Sequence, residues 1–163
     1  MSAVESAEHR VWAVLEQVPD PEIPVLSVVD LGIARAVRVD EQGVEVTITP
    51  TYSGCPAMHA IEQEIRSALA GAGLAPVRVR TVLDPAWSTD WMSESGKRKL
   101  AEYGIAPPGP ASCAGTAPLQ WRVRCPRCGS LATRLLSEFG STACKALYQC
   151  RECLEPFDYF KPL

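Results

Sequence analysis

Two sets of cysteines have the setting for thiol or metal chemistry. The first is Cys55 alone, within Thr49-Pro-Thr-Tyr-Ser-Gly-Cys-Pro-Ala57. A strand pattern runs into this stretch and a helical pattern leaves it. Proline suits the first position of a helix, where its missing N–H is not needed, so Pro56 makes Cys55 the expected N-cap. Its sulfur would then face unpaired backbone N–H groups at the positive end of a helix dipole. That setting favours thiolate, the form that binds metals or attacks electrophiles. Dipole interactions worth about 0.3–2 kcal/mol correspond to about one pKa unit of depression. The competing reading is a small buried core cysteine. Upstream, Asp20, Glu22 and Asp30 gather three carboxylates in Asp20-Pro-Glu-Ile-Pro-Val-Leu-Ser-Val-Val-Asp30. On residue type alone, turn formation and helix capping account for them. If Asp20 and Glu22 approach Cys55, they raise its pKa until a cation binds.

The second set is Cys125-Pro-Arg-Cys128 and Cys150-Arg-Glu-Cys153, two C-x-x-C knuckles separated by 21 residues. Two residues between cysteines let both sulfurs of a tight turn reach one metal, and two such turns complete a tetrahedron. The separation slightly exceeds the usual about 15–20 residues, and a hairpin absorbs the difference. The spacing predicts a structural zinc held by Cys125, Cys128, Cys150 and Cys153. A rubredoxin-like iron or an iron–sulfur cluster is the alternative. A segment of about 40 residues rarely folds on its own core, and a structural zinc supplies about 10–16 kcal/mol of coupled folding energy. Four thiolate ligands leave no open position for catalysis. Cys144 is a further thiol that the tetrahedron does not need, either hairpin core or an accessory functional group. Cys113 has no local partner.

The elements around these residues follow from periodicity. Apolar residues at helical spacing from Val4 to Val18 predict a helix over 3–18, stopped by Pro19 and Pro21. Ile33–Val39 and Val44–Thr49 read as strands joined by Asp40-Glu-Gln-Gly43, an antiparallel hairpin. Met58, Ile61, Ile65 and Leu69 mark a helix over 57–72, and Val77–Leu83 is a third strand. A crossover helix places the second and third strands parallel. The expected class is α+β: an α-β-β-α-β domain with a three-stranded mixed sheet, then a C-terminal zinc ribbon. A short helix over 93–103 ends at Gly104. Pro107-Pro-Gly-Pro-Ala-Ser-Cys-Ala-Gly-Thr-Ala-Pro118 has linker composition, giving boundaries of 1–105, 106–120 and 121–163. Trp87 and Trp91 lie in Asp84-Pro-Ala-Trp-Ser-Thr-Asp-Trp-Met92, either covering the core or serving with the ribbon as a docking surface.

Composition narrows the function classes. The chain has 163 residues, 47% hydrophobic and 21% charged, with a formal net charge of −3. That charge gives no electrostatic reason to expect nucleic acid as a partner. No apolar run reaches the length that spans a membrane. The N-terminus carries early acids rather than a secretory signal, so a cytoplasmic location is expected. Seven cysteines, an odd number, point in that compartment to metal or thiol chemistry rather than disulfides.

Asp20-Pro-Glu-Ile-Pro, Val29-Asp-Leu-Gly32 and Ser53-Gly-Cys-Pro56 together resemble the SufT-type family of iron–sulfur assembly proteins over about residues 5–90. Thr49–Pro56, Leu83–Met92, Glu138–Tyr148 and Glu155–Lys161 extend the resemblance to the PaaD (also PaaJ) family, which belongs to the bacterial phenylacetyl-CoA epoxidase system, across nearly the whole chain. This resemblance implies an accessory protein of aerobic phenylacetate breakdown that helps assemble or deliver iron or iron–sulfur centres. The implied partners are the diiron oxygenase or the [2Fe–2S] reductase of that system. It maps the family's reactive cysteine onto Cys55 and its acidic loop onto Asp20 and Glu22.

Three function classes remain: a factor that binds iron or a cluster transiently at Cys55, a cysteine-nucleophile enzyme, and a structural docking subunit. A homodimer would bring two copies of Cys55 together for the first. The second needs a base, and only His9 and His59 are available.

Overall fold

The computed structural model describes residues 2–109 and 122–162. It divides into two compact units, Met1–Trp87 with Trp91–Ser93, and Ser88–Asp90 with Glu94–Leu163. In the first, helix α1 (Ala3–Leu15) opens on a capping box. Ser2 Oγ accepts the Glu5 N–H at 3.2 Å, and the Glu5 carboxylate accepts the Ser2 N–H at 2.6 Å. The helix stops at Leu15 rather than at Val18. Gln17 and Val18 donate to Val14 and Leu15 in tighter turns that lead out to Pro19, since a residue before proline is held out of the helical region. Val4, expected on the apolar face, is exposed, while Val11 and Leu15 are buried.

Strands β1 (Ala34–Asp40) and β2 (Gly43–Ile48) pair antiparallel, and β3 (Val77–Thr81) joins β2 in parallel, in the order β1-β2-β3. Helix α2 (Met58–Gly71) makes the crossover. Alternation along β2 buries Val44, Val46 and Ile48, and α2 buries Ile61, Ile65 and Leu69. This is the expected mixed sheet.

The chain between α1 and β1 closes on itself. Val28 N–H donates to Val18, and Asp20 N–H to Leu26, with Ile23, Leu26 and Val28 turned into the core. Asp20 Oδ1 accepts the Glu22 and Ile23 N–H groups, each at 2.8 Å. Asp30 anchors the other end: its carboxylate accepts the Ser27 N–H at 3.1 Å and the Ser93 hydroxyl at 3.0 Å. Asp30 thus has the turn-forming role that its residue type suggests.

The tryptophan loop is fixed to this segment. Trp87 is buried and donates its ring N–H to Leu31 O at 2.9 Å. Trp91 carries the Arg35 guanidinium 3.7 Å from its ring centroid. Trp87 therefore packs the core, the alternative to docking, while Trp91 is half-buried with one face covered by Arg35.

In the second unit, α3 (Glu94–Tyr103) leads into β4 (Ile105–Ala106), followed by β5 (Thr133–Ser137), β6 (Lys145–Cys150) and β7 (Pro156–Phe160). The sheet order is β4-β7-β6-β5, with β4 parallel to β7 and the other pairs antiparallel. Its core is small: Tyr148 stacks on Phe157 and meets the edge of Tyr159, and Cys125 and Cys150 belong to the same buried cluster. Cys113 and residues 110–120 of the expected linker lie outside the described residues. No described helix is long and apolar enough to cross a membrane.

Gly32 gives a test of the locked loop. It has φ +73°, and an added Cβ would meet Trp91 O at 2.5 Å. Gly32→Ala should destabilise by about 2 kcal/mol or more in urea unfolding followed by tryptophan fluorescence. Gly54→Ala, with nothing within 4 Å, should stay within about 0.5 kcal/mol. Equal effects would show that Trp91 is not pinned there.

Candidate functional site

Cys55 sits in a turn ahead of α2. The Cys55 N–H donates to Tyr52 O at 3.1 Å, and Cys55 O accepts the Met58 N–H at 3.3 Å. The helix begins at Met58 with Ala57 as N-cap, so Cys55 is not the N-cap. Pro56 and Ala57 are the two central residues of that turn. Proline's fixed φ serves a turn as well as a helix start, which is why the sequence did not separate the two.

The electrostatics also differ from a dipole-activated thiol. The Cys55 pKa is raised. Partial burial is the largest cause; the Ala57 N–H lowers it, Glu22 raises it, the Thr51 hydroxyl lowers it, and Asp20 raises it. Desolvation and two carboxylate charges therefore outweigh two hydrogen bonds to the sulfur. Asp20 and Glu22 do approach Cys55 closely enough to act on it by charge, and no imidazole is among the groups that shift its pKa. Asp20 is buried and held by its two backbone N–H bonds, whereas Glu22 and Cys55 are half-buried at the surface. The closed loop after α1 delivers the carboxylates, and the end of β2 delivers the thiol. Thr51 was not anticipated. Its place four residues before Cys55 gives no signal without the turn.

In the second unit, the Sγ atoms of Cys125, Cys128, Cys150 and Cys153 all lie within 4.8 Å of one another. Cys125–Cys153 and Cys128–Cys150 are separated by 3.8 and 3.5 Å. A regular tetrahedron of sulfurs about 2.3 Å from a zinc ion has edges of about 3.8 Å, so this donor set fits a tetrahedral thiolate-binding metal. Cys125 N–H donates to Ser130 O and Gly129 N–H to Cys125 O, both at 2.9 Å, which closes the first knuckle. Gly129 supplies the left-handed φ of +76° that the turn requires.

Backbone N–H groups aim at the sulfurs, as anionic ligands need. The Cys150 thiol is lowered to about 7, first by the Cys153 N–H and further by the Glu152 N–H and neighbouring thiols, against burial. Cys153 is pushed up to about 12: the Glu155 N–H pulls it down, but burial and the three neighbouring thiols prevail. Cys128 is also raised, with the Ser130 N–H outweighed by the Cys150 and Cys125 thiols and burial. The Cys150 thiol ionises at the expense of Cys128 and Cys153. Cys144 is buried outside this cluster, its Sγ 3.0 Å from Thr142 Oγ1, within the β5–β6 hairpin.

Known proteins match both units. The profile of the PaaD zinc beta ribbon domain matches residues 109–161, and that of an iron–sulfur cluster assembly protein matches residues 8–85. A crystal structure of a domain of unknown function from Bacillus anthracis superposes with a TM-score of 0.57 at 32% identity, covering 60% of this chain and 94% of that one. An Fe-S protein maturation auxiliary factor of Bacillus subtilis, YitW, is 37% identical over 59% of this chain and 95% of its own length. A protein of Escherichia coli, provisionally named as one of the subunits of 1,2-phenylacetyl-CoA epoxidase, is 55% identical over 94% of this chain and 92% of its own length. With that identity over 94% of its length and a PaaD zinc beta ribbon in its C-terminal part, the chain belongs to the PaaD family.

Proposed function

We propose that the protein is a non-catalytic maturation factor of aerobic phenylacetate breakdown. It assembles or delivers an iron or iron–sulfur centre to the oxygenase or the reductase of phenylacetyl-CoA epoxidase. The observation that carries this reading is the partly exposed Cys55 thiol under the charge of Glu22 and Asp20, with no imidazole acting on it. A nucleophilic cysteine needs a base; carboxylates that hold the proton on the sulfur work against one. The same carboxylates attract a cation. The names of the Escherichia coli and Bacillus subtilis relatives support the same reading.

In this proposal Cys55 Sγ, Glu22 and Asp20 form an incomplete ligand set for iron as cargo. Binding displaces the thiol proton to solvent. Because the pKa is raised, the thiol is protonated at neutral pH, and iron competes with that proton. Affinity for Fe(II) should therefore increase with pH by about tenfold per unit while the thiol stays protonated. Asp20 is held by the backbone and acts mainly through its charge, and half-exposed Glu22 supplies a carboxylate donor. The four-cysteine cluster is assigned a resident structural zinc, held by Cys125, Cys128, Cys150 and Cys153, which supplies folding energy to the ribbon.

The decisive experiment is anaerobic reconstitution with iron and sulfide, read by absorption and Mössbauer spectroscopy, on wild type and Cys55→Ser. The variant should retain its fold and ribbon metal, lose the reconstituted iron signal, and leave the epoxidase client without iron in cells carrying only that variant. Normal client maturation with Cys55→Ser would leave a structural docking subunit in its place.

Glu22→Gln separates the charge effects. Removing this carboxylate lowers the Cys55 pKa, so alkylation of Cys55 by iodoacetamide at pH 8 should accelerate while Fe(II) binding weakens. Both readouts moving in the same direction would refute the electrostatic account.

Metal analysis should give about one zinc per chain. Chelation should abolish the ribbon's hydrogen-exchange protection along β5–β7. A ribbon that stays protected without metal would refute the structural assignment, and iron in place of zinc would identify a rubredoxin-like site.

A further inference from the structure

The four knuckle cysteines are not equivalent. Cys125 and Cys150 are 1% and 0% exposed, whereas Cys128 and Cys153 are open to solvent. Each knuckle offers one sulfur to solvent and keeps the other in the core. The closest contacts described between them run across the knuckles. Exposed Cys128 lies 3.5 Å from buried Cys150, and exposed Cys153 lies 3.8 Å from buried Cys125. A disulfide bond is about 2.05 Å long, so each pair closes by less than about 2 Å.

The backbone holds the two knuckles side by side. Arg151 N–H donates to Ala132 O at 2.7 Å, and Cys150 N–H to Glu155 O at 3.0 Å. Thr133, at the start of β5, pairs with Cys150 at the end of β6. A bond inside one knuckle would tie the ends of a single turn and leave the knuckles unlinked. A bond from one knuckle to the other spans the hairpin, as a shared metal ion does.

We propose that the four cysteines are a redox-switched staple: hydrogen peroxide exchanges the ribbon metal for two crossed disulfides, Cys128–Cys150 and Cys125–Cys153, which hold β5–β7 in place without the ion. This rests on the structural metal assigned above. The exposed Cys128 sulfur attacks a peroxide oxygen. Its S–O bond forms as the O–O bond breaks, and the departing hydroxide leaves as water with a solvent proton. The sulfur is oxidised by two electrons to a sulfenic acid, and the peroxide is reduced. The Cys150 sulfur then attacks the sulfenic sulfur. The S–S bond forms, the S–O bond breaks, and a second solvent proton carries the hydroxide away as water. Cys153 and Cys125 repeat the sequence with a second peroxide, and the cysteines, with no thiolate left to donate, release the ion to solvent. Burial suits Cys125 and Cys150 to the resolving role, because it shields them from the oxidant while they trap the sulfenic acid before it becomes sulfinic.

The test titrates the full-length, reduced, metal-loaded protein with hydrogen peroxide. Metal release, read with a chromogenic chelator, should follow the loss of about two thiols per peroxide. Peptide mapping without reduction should find Cys128 linked to Cys150 and Cys125 linked to Cys153. Dimedone added early should label Cys128 and Cys153 and spare the buried pair. Hydrogen-exchange protection along β5–β7 should survive in the oxidised, metal-free protein and be lost in the reduced, chelated one. Dithiothreitol with zinc should restore the starting state. Cys55→Ser should release its metal as wild type does. Bonds within the knuckles, or bonds to Cys55, Cys113 or Cys144, would overturn the proposal. So would sulfinic acids in place of disulfides, metal retained after the knuckle thiols are consumed, protection lost on oxidation, or release that disappears in Cys55→Ser. If the reduced, chelated ribbon stays protected, the structural-metal assignment falls, and the disulfide map still decides whether the crossed pairs form.

Discussion

Negative charge beside a sulfur opposes loss of its proton until a cation replaces it, and under the proposed function both cysteine sites in this chain depend on that exchange. In the ribbon, four sulfurs share a space less than 4.8 Å across. With protons alone, one thiol is lowered to about 7 while a neighbour is pushed up to about 12. Four thiolates together require a divalent ion. At Cys55 the competing charge comes from Glu22 and Asp20. Under the proposed function the same physics acts on one closed ligand set and one open one, and completeness separates them: a closed set retains its metal as structure, while an open set exchanges it.

The two sites also rest on different supports. The ribbon's core consists of a few aromatics together with Cys125 and Cys150, so the metal site and the core are one cluster. The Cys55 turn sits on a conventional sandwich of two helices and a mixed sheet, with Val46, Ile48, Ile61 and Ile65 fully buried. Its carboxylates are placed by backbone bonding. Asp20 has its Oδ1 fixed by two N–H groups and cannot swing away to relieve its repulsion with a thiolate. Asp30, Leu31 and Gly32 hold the far end of the same segment against Ser93, Trp87 and Trp91. The charge around Cys55 is thus set by the fold.

Much of this was legible in the sequence because the signals were periodic or stoichiometric. Alternation from Val44 to Thr49 gave β2, helical spacing from Met58 to Leu69 gave α2, and paired C-x-x-C spacing gave the sulfur cluster. The start of α2 was not legible. Pro56 serves helix and turn equally, and only the Cys55–Met58 hydrogen bond distinguishes them. The sign of the Cys55 pKa shift followed, since it turned on whether acids about 35 residues upstream approach, a tertiary fact. Trp87 and Trp91 lie among polar residues, and no local pattern reveals that Leu31 O and Arg35 claim them.

A raised thiol pKa suits transfer better than a lowered one. A thiolate preformed at neutral pH would bind iron without competition and release it slowly. A thiol that must lose its proton binds more weakly, and reprotonation assists release when the cargo moves to a more complete ligand set. Each pKa unit of proton competition is worth about 1.4 kcal/mol of affinity, enough to move a site from retention toward exchange. Partial burial is the largest cause of the shift at Cys55. It weakens hydration of the thiolate and strengthens the pull of nearby carboxylates on a bound cation. In the proposed function, the features that make Cys55 a poor nucleophile are the ones that would make it a usable transient ligand, and both follow from where the closed loop after α1 meets the end of β2.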